Sequence, residues 1–390
     1  MGKHAMLSAS GSERWLACPP SAQLELQFPK KTSSYAEEGT AAHELCELAA
    51  RYWLSEISEM EYENQLAELS KGQYYNAEMQ ECASDYGQFI SETVKATRKD
   101  CPDAIVELEV KGLDFSEWAP EGFGTGDCII VADDKLGIID FKYGKGVRVD
   151  AVGNPQMRLY ALGAIRLYGE LYDIKRVKMS IIQPRFSREP STDEITVEEL
   201  LDWAENYVKP RAALAFEGKG EFNPSENTCR FCRAKEQCRA RYENNLALFD
   251  ESPDSLLITP DEAGEVLEKA SDIKAWLKDL ENLVMQKLFA GEAVTGWKLV
   301  EGRSNRKYKD ETEVAKAMIK AGYDEALIYE HSLLGITAME KAFGKKEIKN
   351  VLGDLIIKPK GKATLAAATD KRPEYKPEEL ILDAFDDVEE

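Results

Sequence analysis

Asp127, Asp140 and Lys142 fall within one stretch, Gly124 to Lys142, made of two short apolar runs around a polar turn at Ala132 to Lys135. Alternate residues of a strand share a face, so Asp140 and Lys142 point one way and Phe141 the other. Folding the stretch about Asp133-Asp134 brings Asp127 opposite, or nearly opposite, Asp140. Two carboxylates and an ammonium then meet, which is what a hydrolase needs to hold a hard cation and steady a charged transition state. Glu107 and Glu109, two apart on the preceding strand, share a face and either could add a carboxylate; Glu107 is taken as the candidate, against the plainer reading that both face water. His43 is one of only three histidines. A lone helical histidine is more often structural, but Gly39 four positions upstream permits close helix approach, and the aspartate pair makes His43 a candidate ligand. Gln156 and Tyr160, four apart on a predicted helix, share a face suited to orienting a backbone or a catalytic side chain.

A second constellation is Cys229-x-x-Cys232 followed by Cys238. Three thiolates in so short a span can wrap one soft metal centre, and a fourth closes it. Cys18 is the expected fourth: it precedes Pro19 near a helix end, whereas Cys46 and Cys82 sit in helix patterns, Cys101 at a helix end near the core and Cys128 in a strand. A four-cysteine zinc site and free thiols are the alternatives.

The elements that must position these groups are readable from periodicity. Ser8 to Phe28 predicts a short capped helix, ended by Cys18-Pro19-Pro20. Tyr35 to Leu54, Asn76 to Thr97, Pro155 to Tyr168 and Thr196 to Phe216 predict further helices; Ala104 to Val110, the hairpin, and Arg176 to Gln183 predict strands. The expected class is α/β, a core sheet flanked by helices with a mainly helical C-terminal extension. Asp261 to Phe289 predicts a long amphipathic helix, Ala293 to Lys309 a small hairpin, and Lys358 to Pro377 an extended linker before an acidic tail. The expected domains are 1–248, 249–357 and 358–390.

At 390 residues the chain is long enough for two or three domains. No apolar run approaches the roughly 20 residues that span a bilayer and no signal-peptide layout opens the chain, so the expected location is cytoplasmic with no membrane partner. Eight cysteines without a secretion signal argue against a disulfide scaffold. The formal net charge of -21 counts against nucleic acid, but basic residues gather between Lys142 and Arg188 and again from Arg230 to Arg241.

Taken in order, these motifs resemble the RecB-like branch of the PD-(D/E)XK nucleases, in particular its iron-sulfur exonucleases of the AddB and CRISPR-adaptation type. Ser8-Ala9-Ser10 with Trp15 and Cys18-Pro19 resembles the opening cysteine motif, and Gly39 to His43 the G-x-x-x-H helix. Gly124 to Asp127 is similar to G-x-x-D, Asp140-Phe141-Lys142 to (D/E)-x-K, Gln156 to Tyr160 to Q-x-x-x-Y, and the late cysteines to the cluster-binding end. Six motifs in the family's order outweigh the weakness of each, and they cover most of residues 7 to 240.

The resemblance implies a PD-(D/E)XK, restriction-endonuclease-like core. His43, Asp127, Asp140 and the Phe141 carbonyl would bind Mg2+ or Mn2+. Lys142 would position or activate the attacking water. Gln156 and Tyr160 would hold DNA. Cys18, Cys229, Cys232 and Cys238 would hold a 4Fe-4S cluster, with structural Zn2+ as the alternative. The region after Leu248 is similar to phage and prophage proteins, which implies recombination or DNA processing beside a strand-annealing partner. The expected activity is therefore metal-dependent DNA exonuclease, without an ATP motor because no G-x-x-x-x-G-K-[ST] loop is present. A non-catalytic DNA-binding protein of the same fold and an iron-sulfur redox protein are the competing expectations.

Overall fold

A computed structural model describes residues 5–29, 33–187, 189–247, 259–300, 311–321, 335–352 and 355. Its sheet runs in chain order through β1 (Ile105–Asp114), β2 (Phe123–Ala132), β3 (Lys135–Phe141), β4 (Arg176–Ile182) and β5 (Ser191–Thr196). Neighbouring strands are antiparallel except β3 and β4, which are parallel. Because a parallel pair cannot be joined by a tight turn, the chain crosses between them through a helix (Pro155–Tyr168). Asp133 takes φ 50°, the left-handed conformation that a two-residue hairpin turn asks of its first central residue, and pairs Ala132 with Lys135 across the turn.

Ahead of the sheet come α1 (Ser12–Ala17), α2 (Ser21–Leu24), α3 (Ser34–Trp53), α4 (Glu59–Leu69) and α5 (Ala77–Asp100). The crossover helix is α6. After β5 follow α7 (Val197–Trp203), a π-helical segment at Ala204–Val208, α8 (Lys209–Glu217), α9 (Glu226–Arg230), α10 (Arg239–Leu246) and α11 (Pro260–Phe289). The sheet is covered on both faces, which explains its nearly continuous apolar runs. Ile129, Val131, Leu136, Ile138 and Met179 pack with α6 residues such as Leu159 and Leu162. Cys128, Ile130, Ile139 and Phe141 pack instead with Leu45 and Ala49 of α3 and Tyr86 and Ile90 of α5. Gly163 lets α6 lie on β1: a Cβ there would come within 2.7 Å of the Leu113 backbone.

Three parts of the chain differ from expectation. The polar run Ser191 to Thr196 forms β5 at the sheet edge, where one face need not be apolar, and Thr196 caps the following helix rather than belonging to it. The acidic stretch before residue 69 is helix α4, announced by the Ser58/Glu61 capping box. Residues 293–300 contain no strand, and the rest of the expected hairpin, like the linker and tail after 358, lies outside the described residues.

The chain divides into two compact units, Met1–Trp297 and Lys298–Glu390. The first includes α11, which is ion-paired to the cysteine-rich segment. Buried Arg241 bridges Asp279 at 2.6 Å and Asp272 at 3.3 Å, and Lys235 reaches Asp279 at 2.9 Å. In the second unit the described helices are α12 (Glu311–Lys320), α13 (Ile336–Phe343) and α14 (Lys345–Leu352). Among the described residues no helix is long and apolar enough to cross a membrane.

Candidate metal centre and cysteine site

The β2–β3 register, with Cys128 opposite Ile139, carries Asp127 to the level of Asp140. Asp127 Oδ2 accepts the Phe141 backbone N–H at 2.7 Å, and its Oδ1 lies 3.3 Å from His43 Nδ1. The Phe141 ring stands edge-on to the imidazole and fixes its plane. Burial alone would lower the His43 pKa, but the hydrogen bond and charge of Asp127, with Asp140 behind it, outweigh burial and raise it.

The third member of this group is Glu109. His43, Glu109 and Asp127 each offer a ligand atom, and all three lie within 4.8 Å of one another. The expectation of Glu107 is corrected here: its exposed carboxylate accepts the Tyr168 hydroxyl at 2.9 Å, on the α6 side. The cause is a break in strand alternation. Glu109 has φ 52°, so Leu108 and Glu109 both turn toward α3 while Val110 packs in the α6 layer. Burial, then the charges of Asp127 and Glu47, push the Glu109 carboxyl up to about 7.

Asp140 and Lys142 form the other half of the site, with Nζ 3.0 Å from Asp140 Oδ2. Asp140 is buried, which raises its pKa against the pull of Lys142; the Asp127 charge adds to the rise. Gln156 at the start of α6 ties the parts together: its Oε1 accepts from Lys142 Nζ at 3.1 Å, and its Nε2 donates to Tyr160 at 3.0 Å and to Asp140 Oδ1 at 3.4 Å. Tyr160 crosses Gly124, where a Cβ would sit 2.4 Å from the ring, so the glycine of G-x-x-D is required by the tyrosine. Gly39 has no such role. A Cβ there would meet nothing within 4 Å, which corrects the expectation of a close helix approach. An imidazole nitrogen and several carboxylates, that of Asp140 buried, form a donor set that fits Mg2+ or Mn2+.

The four expected cysteines line one small cavity, closed by Leu24, Phe222 and Pro224. Cys18 follows α1, Cys229 ends on α9 and Cys238 caps α10. Burial raises the Cys18 and Cys229 thiols and pushes Cys232 up to about 12. Among the described residues no three of these sulfurs come within 4.8 Å of one another. Cys46, Cys82 and Cys128 lie in the apolar layer beneath α3 and α5, and Cys101 in a small cluster of its own.

Residues 4–373 match the family described as "Protein of unknown function (DUF2800)". The chain belongs to the DUF2800 family. It is also similar to a solved structure, "Crystal structure of SSO0001", at 15% identity over 59% of this chain and 96% of that chain, with a TM-score of 0.21.

In this DUF2800 chain one site-supporting residue escapes sequence reasoning and one choice is left open by it. On spacing alone either Glu107 or Glu109 could join the site, since nothing in the sequence marks the left-handed backbone of Glu109. Gln183, buried at the end of β4, donates to the Gly144 and Val147 carbonyls at 2.6 and 2.8 Å and accepts the Val149 N–H at 3.0 Å. It pins the loop that runs from Lys142 to Gln156. A lone glutamine after an apolar strand gave no signal for this.

Proposed function

We propose that this protein is a metal-dependent deoxyribonuclease with a PD-(D/E)XK core, acting as an exonuclease in phage recombination or DNA processing in the cytoplasm. The observation that carries the reading is convergence: residues from α3, β1, β2, β3 and α6, far apart in sequence, supply His43, Glu109, Asp127, Asp140, Lys142 and Gln156 to one place. When bound, a divalent cation neutralises phosphate charge and makes water a stronger nucleophile. His43, Glu109, Asp127 and Asp140 would hold it, with the Phe141 carbonyl as a further ligand. Lys142, oriented by Gln156, directs the attacking water and stabilises charge growing on the phosphoryl oxygens. Tyr160 fixes Gln156 from behind, and the two together hold the DNA backbone near the site.

We further assign Cys18, Cys229, Cys232 and Cys238 to a 4Fe-4S cluster. The four cysteines lining one small apolar cavity support a bound metal group there. A phage strand-annealing protein is the expected partner.

The test is cleavage of single- and double-stranded DNA with Mg2+ or Mn2+, by wild type and by Lys142→Ala and Asp127→Ala. Metal-dependent cleavage should fall by about 100-fold or more in each variant; full activity in both would exclude this site. Anaerobically purified protein should be brown, and a colourless, zinc-loaded sample would remove the cluster alone.

A further inference from the structure

A groove of ≈ 670 Å³ opens at the start of α6, the helix that carries Gln156, and the nuclease reading gives it no task. One wall is the 147–155 loop, which ends next to Gln156. The other is Arg230-Phe231, the two residues between Cys229 and Cys232, and the floor carries Trp203 and Tyr207. Phe231 and Tyr207 are presented rather than buried, at 75% and 41% exposure, while Trp203 is half-buried against the core. Trp203 and Tyr207 stack with their centroids 6.4 Å apart and 26° between planes, backed by Arg158 over Trp203 and Arg211 over Tyr207. Arg148 and Arg230 add cationic side chains, and Arg230 has no ion-pair partner among the described residues. Two carboxylates also line the groove. Asp150 is engaged by Ser191, the Val152 N–H and, at 3.9 Å, Arg148; the other is Glu13.

We propose that this groove binds single-stranded DNA leading to or from the metal centre, with bases stacked on Phe231, Trp203 and Tyr207 and phosphates met by Arg148 and Arg230. Exposed flat rings interleaved with guanidinium groups suit unpaired bases, whose faces are free, whereas a duplex hides its base faces within its own stack. The inference rests on the nuclease reading and deepens it by naming the strand state. It also gives the cysteine site a second task, since the C-x-x-C loop that it holds presents Arg230 and Phe231.

The test is fluorescence anisotropy of the full chain with labelled oligothymidylate and with a blunt duplex of equal length, using Ca2+ to suppress hydrolysis. Phe231→Ala and Tyr207→Ala should each weaken oligothymidylate binding by about tenfold, while iron absorbance and thermal midpoint stay at wild-type values. Unchanged oligothymidylate binding in the double variant would overturn the proposal, as would an equal loss on the blunt duplex. Lys142→Ala separates the two claims. If wild type cuts no DNA but binds oligothymidylate through the rings, the nuclease reading fails and the groove stands. If Lys142-dependent cleavage is present and the ring variants bind normally, the groove alone fails.

Discussion

At Glu109 a single backbone angle decides which carboxylate joins His43 and Asp127 in the candidate metal centre. With φ at 52° the side chain joins His43 and Asp127, and Glu107 is left to Tyr168. Glu109→Gln should therefore weaken Mn2+ binding about tenfold or more, and Glu107→Gln should leave it unchanged, by isothermal titration. The glycines make a second contrast. Gly124→Ala forces a methyl into the Tyr160 ring and should cost about 1–3 kcal/mol in denaturant unfolding, with loss of cleavage as Tyr160 and Gln156 shift. Gly39→Ala meets open space within a helix and should stabilise by about 0.5–1 kcal/mol. Side-chain identity at Asp127, Asp140, Lys142 and His43 was legible because types and spacing carry it. The choice between Glu107 and Glu109 was not, because nothing in the residue types shows that strand alternation fails at Glu109.

Among the elements, the hairpin was legible to its turn, since apolar runs flanking Asp133-Asp134 leave one sensible register. Helices α3, α5 and α6 followed from apolar periodicity. The edge strand β5 did not, because Ser-Thr-Asp-Glu-Ile-Thr has no buried face to show. The tie between α10 and α11 was equally hidden: Arg241, Asp272 and Asp279 are ordinary surface residues in a sequence, and only packing makes Arg241 2% exposed. Asp279→Ala leaves both Arg241 and Lys235 without their shared carboxylate and should lower stability by about 3 kcal/mol, read from the guanidinium midpoint.

Across the whole first unit, the cysteine site joins the chain's opening helices to residues more than two hundred positions later. Other contacts repeat the link. Gln23 donates to the Phe216 carbonyl, Arg211 to the Leu16 carbonyl, and the Arg233 N–H to Glu25. Removing the proposed cluster by chelation, or Cys18→Ser, should thus loosen this seam without unfolding the sheet. About 4–5 kcal/mol of cross-link stabilisation should disappear from the unfolding curve, and protease should cut first in 1–29 or 219–241. Loss of the entire fold on chelation would contradict this.

The π-helical segment at Ala204–Val208 sets the rotational phase of everything after it. Leu200, Ala204, Val208 and Ala212 are all buried at intervals of four, a spacing that drifts off the core face of a regular helix of ~3.6 residues per turn. The wider turn absorbs the drift. Deleting one residue there would rotate α8 by roughly a quarter turn, turning Arg211 away from Leu16 and displacing Tyr207 from the groove. One extra backbone unit thus acts as the vernier that aligns the aromatic floor and the N-terminal seam along the same rod.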